Sequence, residues 1–187
     1  MHSVTLVLGG GRSGKSTFAE KLSKELGPDE KRRYYLATAE PFDGEMQRRI
    51  QKHQQRRGEA FVTREESIHL SQEIKRVEKG ASSLLVECLS VWLGNMLYYH
   101  FKANESPEEK RARETFMDGE IEALLQTLQT VSCPVILVSN EINLEIFDNQ
   151  NAENVLFVQR AEALNKRIAQ LADHLYLCVA GIPLKLK

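Results

Sequence analysis

Short, almost continuous apolar runs alternate along the chain with longer amphipathic stretches. Val4-Thr5-Leu6-Val7-Leu8 is such a run and stops at glycine, which predicts a buried strand. Lys15 to Leu26 carries Phe18, Ala19, Leu22 and Leu26 at helical spacing, and Gly27-Pro28 ends it. Tyr34 to Ala37 predicts a second strand. Gly44 to Arg57 predicts a very polar helix with Met46, Ile50 and His53 on one stripe. A weak segment at Ala60 to Thr63 precedes a helix expected over Ser67 to Glu78. Ser83 to Val86 predicts a third strand, closed by Glu87, and Leu89 to Phe101 a helix. Lys102 to Pro107 is a polar break. A long helix is expected over Glu108 to Thr130, with Met117, Ile121, Leu124, Leu125 and Leu128 turned inward. Val135 to Val138 predicts a fourth strand, ending in Ser139-Asn140-Glu141. A helix over Asn151 to Ala172 follows, and closing strands at Leu175 to Ala180 and Pro183 to Leu186 flank Gly181-Ile182.

Strands that alternate with helices, and are apolar on both faces, predict a mostly parallel sheet covered on each side. The glycine turn between the last two strands predicts an antiparallel hairpin at the sheet edge. The expected class is therefore a three-layer α/β fold, with residues 1–187 as a single domain. Composition narrows the function. The formal net charge of −1 gives no support to a nucleic-acid binder that works by bulk charge. No apolar run reaches the roughly 18 residues of a membrane span, and the N-terminus lacks a signal-peptide pattern. Cys88, Cys133 and Cys178 are odd in number and sit in or beside apolar segments, so reduced packing thiols are expected. These features predict a soluble, cytoplasmic domain.

The most informative stretch is Gly9-Gly10-Gly11-Arg12-Ser13-Gly14-Lys15-Ser16, which fits G-x-x-x-x-G-K-[ST] and joins a predicted strand to a predicted helix. Glycines let backbone N–H groups approach phosphates, and the helix N-terminus adds partial positive charge. Lys15 is expected to reach the β- and γ-phosphates, and the Ser16 hydroxyl to ligate Mg²⁺. The loop alone specifies neither the base nor the phosphate that is attacked.

Ligands in open α/β sheets sit at the carboxyl ends of strands. Thr38, Glu87 and Glu141 stand at three such ends. Glu87 is placed like the acidic residue that holds Mg²⁺ or its water, whereas Asn140-Glu141 reads equally well as a cap. On the polar helix, His53 sits among Arg48, Arg49, Lys52, Arg56 and Arg57. One reading is a solvated basic face. The other is a nucleophile: nearby cations disfavour the imidazolium, and the same cations hold a polyphosphate as it leaves.

Several of these segments together resemble the bifunctional adenosylcobinamide kinase / adenosylcobinamide-phosphate guanylyltransferases of cobalamin biosynthesis. The resemblance is carried by the loop at Gly9–Ser16 and by Tyr35-Leu36-Ala37-Thr38-Ala39. Asp43-x-Glu45-Met46-x-x-Arg49-Ile50-x-x-His53, Arg57, Thr63 and Glu65 extend it, as do Leu85-Val86-Glu87-Cys88-Leu89 and Val138-Ser139-Asn140-Glu141. Asn165, Ala172-Asp173 and Val179-Ala180-Gly181-Ile182-Pro183 complete it.

The resemblance implies a P-loop NTPase-like fold and two reactions. In the first, a hydroxyl of adenosylcobinamide takes the γ-phosphate of ATP or GTP. In the second, His53 takes GMP from GTP and passes it to adenosylcobinamide phosphate. It also implies that Gly9, Gly10, Gly11, Arg12, Ser13, Gly14, Lys15 and Ser16 hold phosphates, and that Ala37, Thr38 and Ala39 lie along the nucleotide. Gln54, Gln55, Arg56, Arg57, Glu65 and Glu87 would contact the guanine nucleotide, and a homo-oligomer, typically a trimer, is expected. Departures from the family pattern fall at Lys52, Gly58, Phe61, Ile142 to Asp148, Val158-Gln159 and Glu162. Two other classes stay open: a P-loop kinase of another small alcohol with His53 idle, and a nucleotide-binding regulatory module without chemistry.

Overall fold

The computed structural model describes residues 3–27, 29, 32–40, 58–99, 104–142 and 152–187. Seven strands form one sheet: β1 (Val4–Gly9), β2 (Arg33–Ala37), β3 (Val62–Glu65), β4 (Ser83–Glu87), β5 (Val135–Asn140), β6 (His174–Val179) and β7 (Ile182–Lys185). Their order is β3-β2-β4-β5-β1-β6-β7. Every pairing is parallel except β6 with β7, which is antiparallel with Val179 opposite Ile182. The helices are α1 (Lys15–Leu26), α2 (Leu70–Val77), α3 (Leu89–Tyr99), α4 (Pro107–Thr130) and α5 (Ala152–Leu171). The expected polar helix over Gly44 to Arg57 lies outside the described residues.

The central strands are apolar at nearly every position because both faces of the sheet are covered. Val4, Leu6 and Leu8 of β1 point to one face and share a core with Leu84, Val86, Trp92, Met117, Leu124, Leu137 and Leu164, beneath α2 to α5. Val7 points the other way, joining Leu85, Ile136, Val138 and Tyr35, under Ala19, Phe18 and Leu22 of α1. This is the expected three-layer arrangement with a P-loop NTPase-like connection: β1, glycine loop, α1.

Local chemistry sets the element ends. Helix α4 starts with Ser106, whose hydroxyl accepts from Glu109 N–H while the Glu109 carboxylate accepts from Ser106 N–H, and Pro107 follows at the first helical position. Helix α2 begins three residues later than its pattern predicts. Glu66 Oε1 accepts from the N–H groups of Ile68 and His69 at 2.9 and 2.7 Å, holding 67–69 as a turn. The weak segment at Ala60 to Thr63 overlaps strand β3, which forms at Val62–Glu65. It is an edge strand with three of its four residues exposed, so no buried face fixes its boundaries in the sequence.

Candidate functional site

The loop between β1 and α1 closes at the carboxyl edge of the sheet. Ser13 N–H donates to the Gly10 carbonyl at 3.2 Å, making a tight turn through Arg12, which takes φ 59°. Gly14 takes φ 91° immediately before α1. The left-handed region is nearly free for glycine and costs other residues about 1–2 kcal/mol. Lys15 is buried to 9% exposure, and its Nζ donates to the Gly10 carbonyl at 3.1 Å, folded over the loop. The Ser13 hydroxyl is buried and has no hydrogen-bond partner among the described residues. A polar atom left so in the phosphate-loop motif suits a ligand that brings its own acceptors.

Glu87 ends β4 beside this loop. Its carboxylate accepts from the Ser16 hydroxyl through Oε1 and from the Tyr35 hydroxyl, at 2.9 Å, through Oε2. Strand register explains the meeting. Ser83, Leu85 and Glu87 alternate onto the α1 face, where Ser83 bonds Ser23 of α1 and Glu87 bonds Ser16 one end further along. Tyr35 of β2 is only 3% exposed and shares that face through its neighbour β4. Two hard oxygen groups side by side next to a phosphate loop suit Mg²⁺, which keeps several waters and takes one or two protein oxygens plus substrate phosphates.

Beyond the ends of β2 and β3, Ala37, Ala39, Glu40, Glu65, Glu66 and Ser67 line a cavity of about 230 Å³. Asn95 of α3 fixes its walls: its Nδ2 donates to the carbonyls of Thr38 at 2.7 Å and Ser67 at 3.1 Å. Thr38 itself turns inward and is fully buried. Its hydroxyl accepts from Cys88 N–H at 2.8 Å and donates to the Cys88 carbonyl at 2.9 Å. Cys88 is free, as are Cys133 and Cys178, and burial pushes the Cys88 thiol up to about 11.

The structure thus brings Gly9 to Ser16 and Glu87 into one cluster, and Ala37, Ala39 and Glu65 onto a neighbouring cavity. His53, Gln54, Gln55, Arg56 and Arg57 lie outside the described residues. Tyr35 and Asn95 were not singled out for the site by pattern. Tyr35 sits in an apolar strand, where only the register onto β4 reveals its hydroxyl's partner. Asn95 is a buried carboxamide on a mostly apolar helix, a signal in itself. The C-terminal hairpin also belongs to the neighbourhood of the loop: Gly181 N–H donates to the Ser13 carbonyl at 2.9 Å.

The sequence matches a family model described as cobinamide kinase / cobinamide phosphate guanyltransferase over residues 5–186. A bifunctional adenosylcobalamin biosynthesis protein, CobP, of Pseudomonas aeruginosa is 37% identical over 97% of this chain and 96% of its own. Proteins named CobU with the same description are 35% identical in Salmonella typhimurium and 33% in Escherichia coli, each over 97% of this chain and 98% of theirs. A solved KaiC-like protein from Pyrococcus horikoshii aligns over 94% of this chain and 70% of its own, with TM-score 0.49 and 15% identity. The chain belongs to the cobinamide kinase / cobinamide phosphate guanyltransferase family.

Proposed function

We propose that this chain works in cobalamin biosynthesis as a bifunctional kinase and guanylyltransferase, built as one catalytic domain. It phosphorylates adenosylcobinamide with ATP or GTP, and then transfers GMP from GTP to give adenosylcobinamide-GDP. The observation that carries the reading is the Ser16–Glu87 pair at the mouth of the glycine loop, in a chain the family model matches almost from end to end.

In the first reaction the acceptor hydroxyl oxygen bonds to the γ-phosphorus as the β–γ bridging bond breaks. The hydroxyl proton is lost to solvent, and the nucleoside diphosphate leaves. The backbone amides of Gly9 to Ser16 and the Lys15 ammonium hold the phosphates, and no rotation of solvent is needed as charge develops. Ser16 and Glu87 are the residues that would hold Mg²⁺. The ion would supply positive charge that offsets the phosphate oxygens.

In the second reaction a neutral His53 nitrogen bonds to the α-phosphorus of GTP, and the α–β bridging bond breaks to release pyrophosphate. A phosphate oxygen of adenosylcobinamide phosphate then displaces the imidazole from the GMP phosphorus. Arg56 and Arg57 steady the leaving pyrophosphate, and Gln54, Gln55, Ala37, Ala39 and Glu65 contact the nucleotide, whereas Thr38, expected there too, is fully buried and instead braces Cys88 from behind. This assignment of His53 rests on its sequence context and on the family.

No helix among the described residues is long and apolar enough to cross a membrane. The partners assigned here are small molecules and further copies of the chain, with no nucleic acid. A homo-oligomer would cover Val179, Ile182, Leu184 and Leu186 of the edge hairpin, which are 47–63% exposed. The decisive assay supplies GTP labelled at the α-phosphate. Acid-labile, alkali-stable label on the protein, absent from the His53→Ala variant, is the expected result. Equal label in that variant overturns the carrier. γ-Label on a small acceptor with no protein adduct points instead to a simple P-loop kinase.

A further inference from the structure

Asn140 occupies a place that the two-reaction scheme leaves unused. Strand β5 lies between β1, which carries the phosphate loop, and β4, which carries Glu87. Asn140 is its last residue and pairs with Gly9, the first residue of the loop motif. Val138 pairs with both Val7 and Glu87, so Asn140, two residues on, projects from the same face as Glu87 and α1. Its carboxamide is half-buried and has no hydrogen-bond partner among the described residues.

The backbone of Asn140, by contrast, is held on both sides by side chains. Its N–H donates to Ser90 Oγ at 2.8 Å, and Ser90 Oγ also meets Ser139 Oγ at 3.3 Å. Its carbonyl accepts from Asn165 Nδ2 at 2.9 Å. Asn165 is 6% exposed, and its own Oδ1 has no partner among the described residues. One residue further, Glu141 N–H donates to the Gly9 carbonyl at 3.1 Å. Helices α3 and α5 thus fix the backbone of one strand-end residue whose own side chain has no partner among the described residues. A buried carboxamide with an unmet acceptor is costly, so Asn165 is a residue spent on positioning rather than packing.

We propose that Asn140 donates its carboxamide N–H to the terminal phosphate of the nucleotide during phosphoryl transfer, with Asn165 and Ser90 as the residues that position it. The proposal rests on the loop binding a nucleoside triphosphate. A donor whose backbone is held between loop and Glu87 is placed to reach the oxygens over which γ-phosphoryl charge spreads, with little backbone reorganisation as that charge develops. It forms and breaks no covalent bond.

The test compares wild type, Asn140→Ala and Asn140→Asp, with circular dichroism and melting to establish that each folds. Asn140→Ala is expected to lower kcat for γ-label transfer to adenosylcobinamide roughly 100-fold, the scale of one preorganised donor. KM for ATP should stay within about threefold of wild type. Asn140→Asp keeps the shape but turns a donor into an anion, so it should lose more than alanine does. A role in packing alone gives the opposite order. Binding of ATP against ADP is read separately, because it does not need the acceptor. The preference for ATP should fall about tenfold in Asn140→Asp, the worth of one charge-assisted hydrogen bond. An unchanged preference, or wild-type turnover in either variant, overturns the proposal. Wild-type protein that prefers ATP but phosphorylates no adenosylcobinamide would refute the acceptor and leave the binding ratio to decide Asn140.

Discussion

Gly14 of the phosphate loop and Gly181 of the β6–β7 turn pack backbone against backbone. A Cβ built on Gly14 would stand 2.9 Å from the Cα of Gly181, closer than real side chains come. The hydrogen bond from Gly181 N–H to the Ser13 carbonyl fastens the same contact. The last hairpin of the chain is therefore a wall of its first loop, and its glycine turn serves the loop as much as it serves the hairpin.

The two glycines should differ in how much they tolerate a methyl group. At Gly181, φ is +82° but nothing lies within 4 Å of an added Cβ, so Gly181→Ala meets only the conformational cost, about 1–2 kcal/mol. At Gly14, φ is +91° and the clash is with backbone, which cannot swing aside. Gly14→Ala should cost about 3 kcal/mol or more and weaken nucleotide binding. Urea unfolding of both variants checks the order. Equal losses would mean that the contact between loop and hairpin yields easily.

The fold was legible where burial and chemistry agree. Helix α1 begins and ends where its pattern puts it because the glycine loop and Gly27 punctuate both ends. Strands β1, β4 and β5 stand out because two covered faces leave no polar alternation. Strand β3 was blurred because it has solvent on most of its side chains, and α2 because a glutamate side chain replaced its first turn. The loop and Glu87 were legible as motif and strand end. Tyr35 and Asn95 were not, and Asn140 showed only as a strand end or cap, since their partners come from strand order and helix placement, which local pattern does not encode.

Glu87→Gln should separate metal handling from nucleotide binding. The amide keeps the shape that Ser16 and Tyr35 bond but loses the anion beside the loop. The Mg²⁺ concentration for half-maximal kinase activity should rise at least tenfold, with nucleotide affinity measured in EDTA little changed. Tyr35→Phe removes one hydrogen bond to a retained carboxylate and should cost about 1 kcal/mol of stability. An unchanged Mg²⁺ requirement in Glu87→Gln would remove Glu87 from the metal site.

The thiols should be inert in the native protein. Burial raises Cys88 and Cys133 to about 11 and also raises Cys178. At pH 8 the thiolate fraction of the first two is then roughly one in a thousand, and the thiolate is the reactive form. Iodoacetamide should leave the folded chain largely unmodified by mass and add three adducts in denaturant. Fast native labelling of Cys88 would show that the cleft beside Glu87 opens.

Acid stability should report on Arg113, whose side chain is 1% exposed. Its Nε and Nη2 grip Glu105 at 2.9 and 2.8 Å, its Nη1 donates to the Leu97 carbonyl at 2.9 Å, and Glu153 approaches at 3.3 Å. One guanidinium thus joins the end of α3 to the starts of α4 and α5. Arg113→Met should cost about 3 kcal/mol, because Glu105 and Glu153 then lose their shared guanidinium and only the half-exposed Lys110, 3.7 Å from Glu153, remains nearby. The hydrogen bond from Arg113 holds the Glu105 carboxyl below its ordinary 4.5. A group depressed in the folded state stabilises the fold above its unfolded value and loses that contribution as pH falls through its folded value. Wild-type urea midpoints should therefore fall as pH drops from about 5 towards 3. In Glu105→Gln that slope should flatten, because the titrating partner is gone while the Leu97 carbonyl and Glu153 still hold Arg113. Parallel acid profiles for wild type and Glu105→Gln would show that this pair contributes nothing to acid sensitivity.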